Sequence, residues 1–201
     1  MSKESKIYDP KTECMTREER ERYNNERLQQ QVKYAYEHAP AMRAKFDKAG
    51  VKPSDIRTVK DMEKLPVTRK DDLIELQKAD PPWGGLLGVP PENLPRIFVS
   101  PGPIFDPMPV LDDEDFFQRM TKVAYAGGFR KGDIVVNTYS YHMVPAAHQL
   151  DEGLRQLGVT VIPMGVGNTE LQVQVLHDIR ATGLIATTGF SMAIVNKAEE
   201  M

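Results

Sequence analysis

One segment sets the arrangement of the chain, and it reads Arg96-Ile97-Phe98-Val99-Ser100-Pro101-Gly102-Pro103-Ile104-Phe105-Asp106-Pro107. It begins as an apolar run with β propensity and then breaks into serine, glycine and three prolines, a composition typical of turns. A helix-prone acidic segment follows from Asp112. A strand, a tight loop and a helix in this order place backbone N–H groups at a helix N-terminus, where anions bind. The segment therefore predicts an anion site made of residues that are unusual for a phosphate-binding loop.

Downstream of this segment, short β-branched runs alternate with helical patterns. We predict strands at residues 96–99, 134–138, 159–163 and 184–187, and helices at 112–126, 146–157, 169–181 and from 191 onward. Runs such as Ile134-Val135-Val136 do not alternate with polar residues, which favours strands buried on both faces of a parallel sheet. The repeated β-α unit predicts an α/β fold with a doubly wound, mostly parallel sheet. The final helical pattern has no C-cap, and an open sheet edge here predicts further chain or self-association.

The residues before the predicted sheet form an N-terminal helical segment. It contains a capping box in which Glu19 follows Thr16, a second and weaker one in which Asp71 follows Thr68, and helical patterns separated by proline turns. The first residues are polar and turn-rich, and they predict a loosely attached arm. The sequence therefore predicts three parts, which are an arm (1–15), a helical subdomain (16–94) and an α/β parallel-sheet subdomain (95–201).

Composition excludes several classes of protein. The 201 residues carry a formal net charge of -3, so no basic excess is present to neutralise nucleic-acid phosphates. No apolar run approaches the roughly 20 residues of a membrane span, and the N-terminus lacks the apolar core of a signal peptide. The single cysteine, Cys14, excludes an internal disulfide and fits a reducing compartment. We therefore expect a cytoplasmic protein that binds neither nucleic acid nor a membrane.

Polar, aromatic or glycine-rich residues follow each predicted strand. In an open parallel sheet, ligands bind at the carboxyl ends of the strands, so these residues predict a ligand site. The candidates in the last three loops are Tyr141, His142, Gly165, Gly167, Thr188 and Phe190. Simpler explanations stay open for two of these loops, because residues 165–170 could serve only as a helix cap and Tyr141-His142 could be packing residues.

Two other sets of residues are candidates for a metal site and for a nucleophile. His148, Asp151 and Glu152 have part of the spacing of a metal site, but no second His-rich segment supports them, so we predict no metal. Cys14 has no histidine near it in sequence, and we do not propose a nucleophile. The sequence therefore leaves catalytic residues unassigned.

Several segments, in order along the chain, resemble a known family. They are Tyr36-Glu37-His38-Ala39-Pro40 and residues 45–51, 65–73, 137–144, 157–163 and 167–172. Together with an Arg-rich first helix, they resemble the N-terminal part of the phenylacetate–CoA ligases, which belong to the AMP-forming acyl- and aryl-CoA ligases (adenylate-forming enzymes). The resemblance covers nearly the whole chain, whereas members of the family are much longer.

The resemblance implies a reaction in which a carboxylic acid and ATP form an acyl-adenylate, which CoA converts to a thioester. It implies a small-molecule carboxylate as substrate and ATP, CoA and Mg²⁺ as cofactors, with Mg²⁺ shielding phosphate charge. The family's adenine-contacting motif, its ribose-binding acidic residue and its C-terminal domain with the catalytic lysine have no counterpart in these residues. We therefore expect the chain to be inactive alone, with the missing C-terminal ligase part or a second copy as its partner.

The opening segment aligns with the family's phosphate loop, which reads roughly Ser-Ser-Gly-Thr-Thr-Gly-Lys-Pro. The matching residues are Ser100, Gly102 and Pro107. The mismatches have physical consequences, because Pro101 and Pro103 lack an N–H and Asp106 places a negative charge where the family has lysine. Ile104 and Phe105 remove a hydroxyl and a glycine's backbone freedom. These five mismatches oppose phosphate binding.

The acid-binding region matches the family better. By the resemblance, Tyr141 falls on an aromatic residue that lines the aryl group, and Val144 falls where phenylacetate enzymes have phenylalanine. The implied acyl- or aryl-binding residues are Tyr141, His142, Val144, Gly165, Gly167, Thr188 and Phe190. Our leading hypothesis is the N-terminal portion of a divergent carboxylate–CoA ligase. The alternative is a non-catalytic binding or assembly module that keeps the ligase scaffold.

Overall fold

A computed structural model describes residues 6–108 and 115–201 of the chain. Within these ranges the helices are α1 (Pro10–Glu13), α2 (Arg17–His38), α3 (Pro40–Ala49), α4 (Lys70–Ala79), α5 (Asp115–Ala126), α6 (Ala146–Gln156), α7 (Thr169–Asp178) and α8 (Thr188–Glu200). Short 3₁₀ turns lie at Pro53–Asp55, Val59–Lys64 and Pro91–Asn93. The strands are β1 (Arg96–Ser100), β2 (Ile104–Met108), β3 (Ile134–Asn137), β4 (Thr160–Ile162) and β5 (Gly183–Ile185). Within the described ranges, no helix combines the length and the apolar content that crossing a membrane requires.

The chain divides into two compact units. One comprises Cys14–Val110, and the other comprises Met1–Glu13 together with Leu111–Met201. The strands β1 and β2 therefore group with the helices that precede them, whereas the sequence placed a boundary before residue 95. The N-terminal residues likewise group with the second unit, although the sequence predicted a separate arm.

The helical unit is organised around a small apolar core. Its buried side chains are Val32, Phe46, Ile56 and Leu65. The predicted capping box at the start of α2 is confirmed, because the Thr16 hydroxyl accepts from the Glu19 N–H at 3.2 Å and the Glu19 carboxylate accepts from the Thr16 N–H at 2.8 Å. The N–H groups of Thr16 and Glu19, which have no partner within the helix, are thereby hydrogen-bonded.

The second predicted capping box lies one residue later than expected. The Asp72 carboxylate accepts from the Arg69 N–H at 2.6 Å, and Arg69 is the extended residue before α4. The predicted box from Thr68 to Asp71 is therefore wrong. Asp72 takes the role because it stands three residues after the last extended residue, which is the position a capping carboxylate requires.

The segment from Arg96 to Met108 is a β-hairpin. β1 and β2 pair antiparallel from Arg96↔Met108 to Ser100↔Ile104, and Pro101-Gly102-Pro103 forms the turn. This corrects two predictions: β1 is not part of the parallel sheet, and the residues after it form a second strand and not a loop entering a helix. Only part of the predicted helix at 112–126 is described, and it begins at Asp115.

Burial explains why the second strand forms despite its proline. Ile104 and Met108 are buried on one face of β2, where the partly buried Asp106 lies between them, so burial of this face favours a strand. The Phe105 N–H leaves the hairpin and donates to Gln77 Oε1 at 2.9 Å, while Gln77 Nε2 donates to the Phe105 carbonyl at 2.8 Å. Pro107 lies two residues on, with its missing N–H on the same outer side. The proline therefore removes no hydrogen bond between the strands.

The second unit contains the predicted parallel sheet. Its strand order is β4-β3-β5, with Val135 opposite Val161 on one side and opposite Gly183 on the other. Val135 packs with Ala124 of α5 and Leu154 of α6, and the adjacent Val136, on the opposite face, is also fully buried. Helices therefore cover both faces, and the predicted doubly wound α/β class is confirmed, with three parallel strands instead of four.

The N-terminal residues pack on α5. Lys122 Nζ lies 3.1 Å from Asp9 Oδ2 and donates to the Thr12 hydroxyl at 2.6 Å. The rings of Tyr8 and Tyr125 lie 5.5 Å apart between centroids. The described part of the predicted arm is therefore attached through specific contacts, and the prediction of a loose arm is wrong for residues 6–13.

The helices α5 and α6 approach each other most closely at Gly153. A Cβ at this position would lie 2.5 Å from the Met120 Cβ and 2.8 Å from the Met120 carbonyl carbon. The buried Thr121 hydroxyl donates to the Gly153 carbonyl at 3.1 Å. Only glycine fits this crossing, because any side chain would push the two backbones apart.

We expect Gly153→Ala to lower the free energy of unfolding by about 1 to about 3 kcal/mol, since the added methyl overpacks a closed contact. Urea denaturation followed by circular dichroism measures the change. Gly189→Ala is the matched control, because a Cβ at Gly189 meets nothing within 4 Å. Equal midpoints for the two variants would contradict the close packing of α5 on α6.

Candidate functional site

The carboxyl ends of the three parallel strands define the candidate site. β3 is followed by residues 138–145, β4 by 163–168, and β5 by Ala186 and Thr187 before α8 begins. Because parallel strands point the same way, these connections lie at one edge of the sheet. The sequence predicted ligand-binding residues in all three.

Tyr141 is held by its hydroxyl after β3. The hydroxyl donates to Asp151 Oδ2 at 2.9 Å and accepts from Asn137 Nδ2, also at 2.9 Å. Its ring meets the His148 ring edge-on, with centroids 5.2 Å apart, and His148 Nε2 lies 3.2 Å from the Tyr141 carbonyl oxygen. These contacts fix the ring in one orientation and leave it half-buried.

The surroundings of Tyr141 keep its phenol protonated. Burial is the largest cause that raises the pKa of Tyr141, and the hydrogen bond to the Asp151 carboxylate and its negative charge raise it further. The Asn137 amide opposes the shift, because it donates to the phenol oxygen. A neutral phenol suits a position that donates one hydrogen bond and accepts another.

The other predicted residues of this loop are less enclosed. His142 is exposed, and its N–H donates to the Ser140 hydroxyl at 3.2 Å. Val144 is half-buried and its N–H donates to the His142 carbonyl at 2.7 Å. Met143 between them has φ 62°, a conformation that costs a non-glycine residue energy and that often marks functional loops.

The loop after β4 is built on left-handed residues. Gly165 and Gly167 have φ of 71° and 81°, and Asn168, the residue that precedes α7, has φ 48°. The Asn168 side chain makes no capping hydrogen bond. The Gly165 N–H donates to the Asn137 carbonyl at 3.0 Å, which links this loop to the end of β3.

Two buried amides that carry this loop structure received no role from the sequence. Asn137 is fully buried and donates to the Ala147 carbonyl at 3.1 Å as well as to Tyr141. Gln172 of α7 is fully buried and donates to the Gly165 and Gly167 carbonyls at 2.9 and 2.8 Å. Both lie in segments that carry the family resemblance, but a polar residue in a sequence gives no sign of its burial.

The residues after β5 form helix and not loop. α8 begins at Thr188, three residues earlier than predicted, and Thr187 caps it by accepting from the Phe190 N–H at 3.4 Å. Thr188 is exposed and Phe190 half-buried in the first turn. The threonine at 187 is a good N-cap, so the helix starts as soon as the strand has ended.

The hairpin residues predicted to replace a phosphate loop lie in the other unit. The Ser100 hydroxyl is hydrogen-bonded to the Asp106 carboxylate, and Gly102 sits in the turn between Pro101 and Pro103. Two of the three turn residues therefore have no N–H to offer an anion. Since the Ser100 hydroxyl is engaged by the Asp106 carboxylate, which would repel an anion, the residues present do not fit a phosphate chain.

The described residues do not fit a metal ion either. They contain no group of three or more His, Cys, Asp or Glu side chains that could hold one. Asp151 accepts from Tyr141, and Glu152 pairs with Arg155 at 3.2 Å. The Mg²⁺ that the resemblance implies therefore has no ligand set in this part of the chain.

The raised pKa of Tyr141 predicts a pH-dependent contribution to stability. The phenol stays protonated in the folded protein at pH values where the unfolded chain ionises, near about pH 10. Because the folded pKa is the higher one, this contribution is complete below about pH 10 and is lost as the pH rises further. We expect the free energy of unfolding to fall as the pH rises above about pH 10, and to fall less steeply in Tyr141→Phe.

Urea denaturation across this pH range measures the effect. At neutral pH, Tyr141→Phe should cost about 1 to about 3 kcal/mol, because it removes the hydrogen bonds of the Tyr141 hydroxyl with Asp151 and Asn137. The control is Tyr23→Phe, which removes the hydroxyl of an exposed tyrosine. An identical pH slope in wild type and Tyr141→Phe would contradict the hydrogen-bonded arrangement.

Comparison with known proteins identifies relatives of this chain. No protein-family profile matches it. The phenylacetate-coenzyme A ligase of Aromatoleum evansii is 33% identical over 180 residues, which cover 88% of this chain and 40% of the relative. The phenylacetate-coenzyme A ligase of Escherichia coli K12 is 34% identical over 179 residues, covering 87% of this chain and 40% of the relative.

Solved structures agree with these relatives. The crystal structure of 2-hydroxyisobutyryl-CoA ligase in the postadenylation state with 2-HIB-AMP matches at a TM-score of 0.91 and 28% identity, covering 98% of this chain and 43% of that chain. The same ligase with 2-HIB-AMP and CoA in the thioesterification state matches at 0.90 and 27% identity, with the same coverage. The chain spans about two-fifths of the length of the relatives it matches. The predicted resemblance is therefore confirmed: the chain is similar in sequence to the phenylacetate–CoA ligases and in fold to the N-terminal part of an adenylate-forming CoA ligase.

Proposed function

We propose that this chain is the N-terminal portion of a divergent AMP-forming carboxylate–CoA ligase and supplies its acid-binding edge. The observation that carries the proposal is the match along 98% of the chain to a ligase solved with its acyl-adenylate. The fixed tyrosine and the glycine loop at the carboxyl edge of the sheet support the same role, because ligands of open parallel sheets bind there. The complete reaction would convert an acid, ATP and CoA to acyl-CoA, AMP and pyrophosphate.

The acid would lie against Tyr141 and the loop of Gly165 and Gly167. Tyr141 presents a preoriented ring, and the glycines leave room for a ligand, since a Cβ at Gly167 would meet nothing within 4 Å. Val144, together with His142, Thr188 and Phe190, would border the acid. A valine in place of an aromatic residue removes a stacking partner for a phenyl ring, which favours an acid other than phenylacetate or a larger one.

The chain would need the remaining ligase part for turnover. The structural neighbours bind 2-HIB-AMP and CoA, so ATP and CoA are the co-substrates we propose for the complete enzyme. The prolines of the hairpin turn and the Asp106 carboxylate argue against phosphate binding by these residues alone. The single cysteine is in keeping with a cytoplasmic location. Among the described residues β5 pairs with a strand on one side only, and such an edge is in keeping with association with a second copy.

One observation favours a second candidate function, a non-catalytic binding or assembly module. The turn Pro101-Gly102-Pro103 stands where the family's phosphate loop has residues that would bind ATP. The fold nevertheless matches that of a ligase. The gene downstream of the Met201 codon separates the two candidates. Codons for the remaining ligase domains favour the ligase, whereas a stop codon favours the module.

Isothermal titration of the chain with a panel of carboxylic acids that includes phenylacetate and 2-hydroxyisobutyrate tests acid binding. We expect saturable heat with at least one acid and its loss in Tyr141→Ala, because the ring would be gone. Tyr141→Phe keeps the ring and should weaken binding by no more than about tenfold, since one hydrogen bond is worth about 1 kcal/mol.

The control is Tyr23→Phe, which should bind like wild type. Circular dichroism confirms that each variant is folded before titration. The proposal fails if no acid gives saturable heat, or if folded Tyr141→Ala binds as well as the wild-type chain.

A further inference from the structure

Gln172 occupies a position that is costly for a polar residue. Its side chain is fully buried, and Nε2 uses both of its hydrogens on the Gly165 and Gly167 carbonyls. Its Oε1 has no hydrogen-bond partner among the described residues. A buried unpaired acceptor costs about 1 to about 3 kcal/mol, so packing alone would favour an apolar residue here.

The loop that Gln172 reaches has little else to hold it. Gly165 and Gly167 have no side chains, a Cβ at Gly167 would meet nothing within 4 Å, and Val166 is 66% exposed. A hydrogen bond from the Gly165 N–H to the Asn137 carbonyl connects the loop to β3. The amide of Gln172 adds two further hydrogen bonds to a segment of three residues.

The direction of these hydrogen bonds sets the direction of the loop's N–H groups. In a trans peptide the carbonyl and the following N–H point in opposite directions. Because the Gly165 and Gly167 carbonyls face the buried amide, the N–H groups of Val166 and Asn168 face away from it. Neither N–H donates to a partner in the described part of the chain.

We propose that Gln172 is the positioning residue of the acid site, a role that rests on the proposed function above. It holds both glycine carbonyls inward and thereby presents the Val166 and Asn168 N–H groups to the carboxylic acid. Through Gly165 it also joins this loop to Asn137, whose side chain donates to Tyr141. The two loops that border the acid are therefore fixed relative to each other before a ligand arrives.

The first test compares Gln172→Leu with Gln174→Leu in the full chain. Both variants replace a glutamine of α7 by a residue of similar size, but Gln174 is exposed. Hydrogen–deuterium exchange of residues 164–168 should become faster in Gln172→Leu and stay at the wild-type rate in Gln174→Leu. Calorimetry with phenylacetate and 2-hydroxyisobutyrate should show an affinity loss of about tenfold or more in Gln172→Leu alone, the effect of about 1.4 kcal/mol.

The second test uses Gln172→Glu to separate positioning from simple packing. A buried carboxyl beside two carbonyl oxygens has its pKa raised above the ordinary value, because the ionised form is repelled and poorly solvated. The protonated form can still donate to one carbonyl, whereas the ionised form donates to neither. Acid affinity of this variant, measured relative to wild type at each pH, should therefore fall as the pH rises through that pKa.

The outcomes separate this inference from the proposed function. If the wild-type chain binds no acid of the panel, the proposed function fails, and the exchange rates still decide whether Gln172 holds the loop. Equal exchange of residues 164–168 in the two leucine variants overturns the inference. An unchanged acid affinity in folded Gln172→Leu, or a Gln172→Glu affinity that tracks wild type at every pH, overturns it as well.

Discussion

The structure depends on how it satisfies amide side chains that it removes from water. A buried amide without partners costs about 1 to about 3 kcal/mol, more than a typical hydrogen bond yields, so these amides are stabilised by pairing with backbone groups. In the helical unit, Gln77 exchanges two hydrogen bonds with the backbone of Phe105 and so attaches the hairpin to α4. In the sheet unit, Asn137 and Gln172 do the same for the loops after β3 and β4. In each case the side-chain amide pairs with backbone groups outside its own helix or strand.

The need to pair buried amides explains why the loops at the edge of the sheet can adopt one shape without being tightly packed. Glycine loops and left-handed residues lose more conformational freedom on folding than ordinary segments, so they require fixed partners to adopt one shape. Asn137 supplies partners on both sides, because its carbonyl holds Gly165 and its side chain holds Tyr141. Tyr141 is in turn fixed by Asp151. The edge is therefore ordered by hydrogen bonds, and space for a ligand remains beside it.

The sequence predicted what depends on local pattern and missed what depends on tertiary contact. The runs around Val135 and Val161 are β-branched and uninterrupted, so the parallel strands and the fold class could be predicted, and the Thr16 capping box is a local signal. The sequence did not predict the second hairpin strand, because Pro107 is typical of a loop. Only the contact of Phe105 with Gln77 shows that backbone N–H groups on this side of β2 point away from β1, so that a proline at 107 is tolerated. The role of Gln172 depends on burial, which no spacing in the sequence reveals.

The turn of the hairpin keeps its backbone shape with residues that lack the N–H donors of a phosphate-binding loop. The turn needs only residues that accept the backbone shape, and Pro101-Gly102-Pro103 meets that need while removing donors that an anion would use. The Ser100 hydroxyl is directed to Asp106 and thus is engaged within the hairpin itself. The sheet unit has an edge that is ordered by hydrogen bonds of its own residues. In the proposed function, acid binding would therefore rest on residues of the sheet unit, whereas the hairpin turn lacks donors that a phosphate would need.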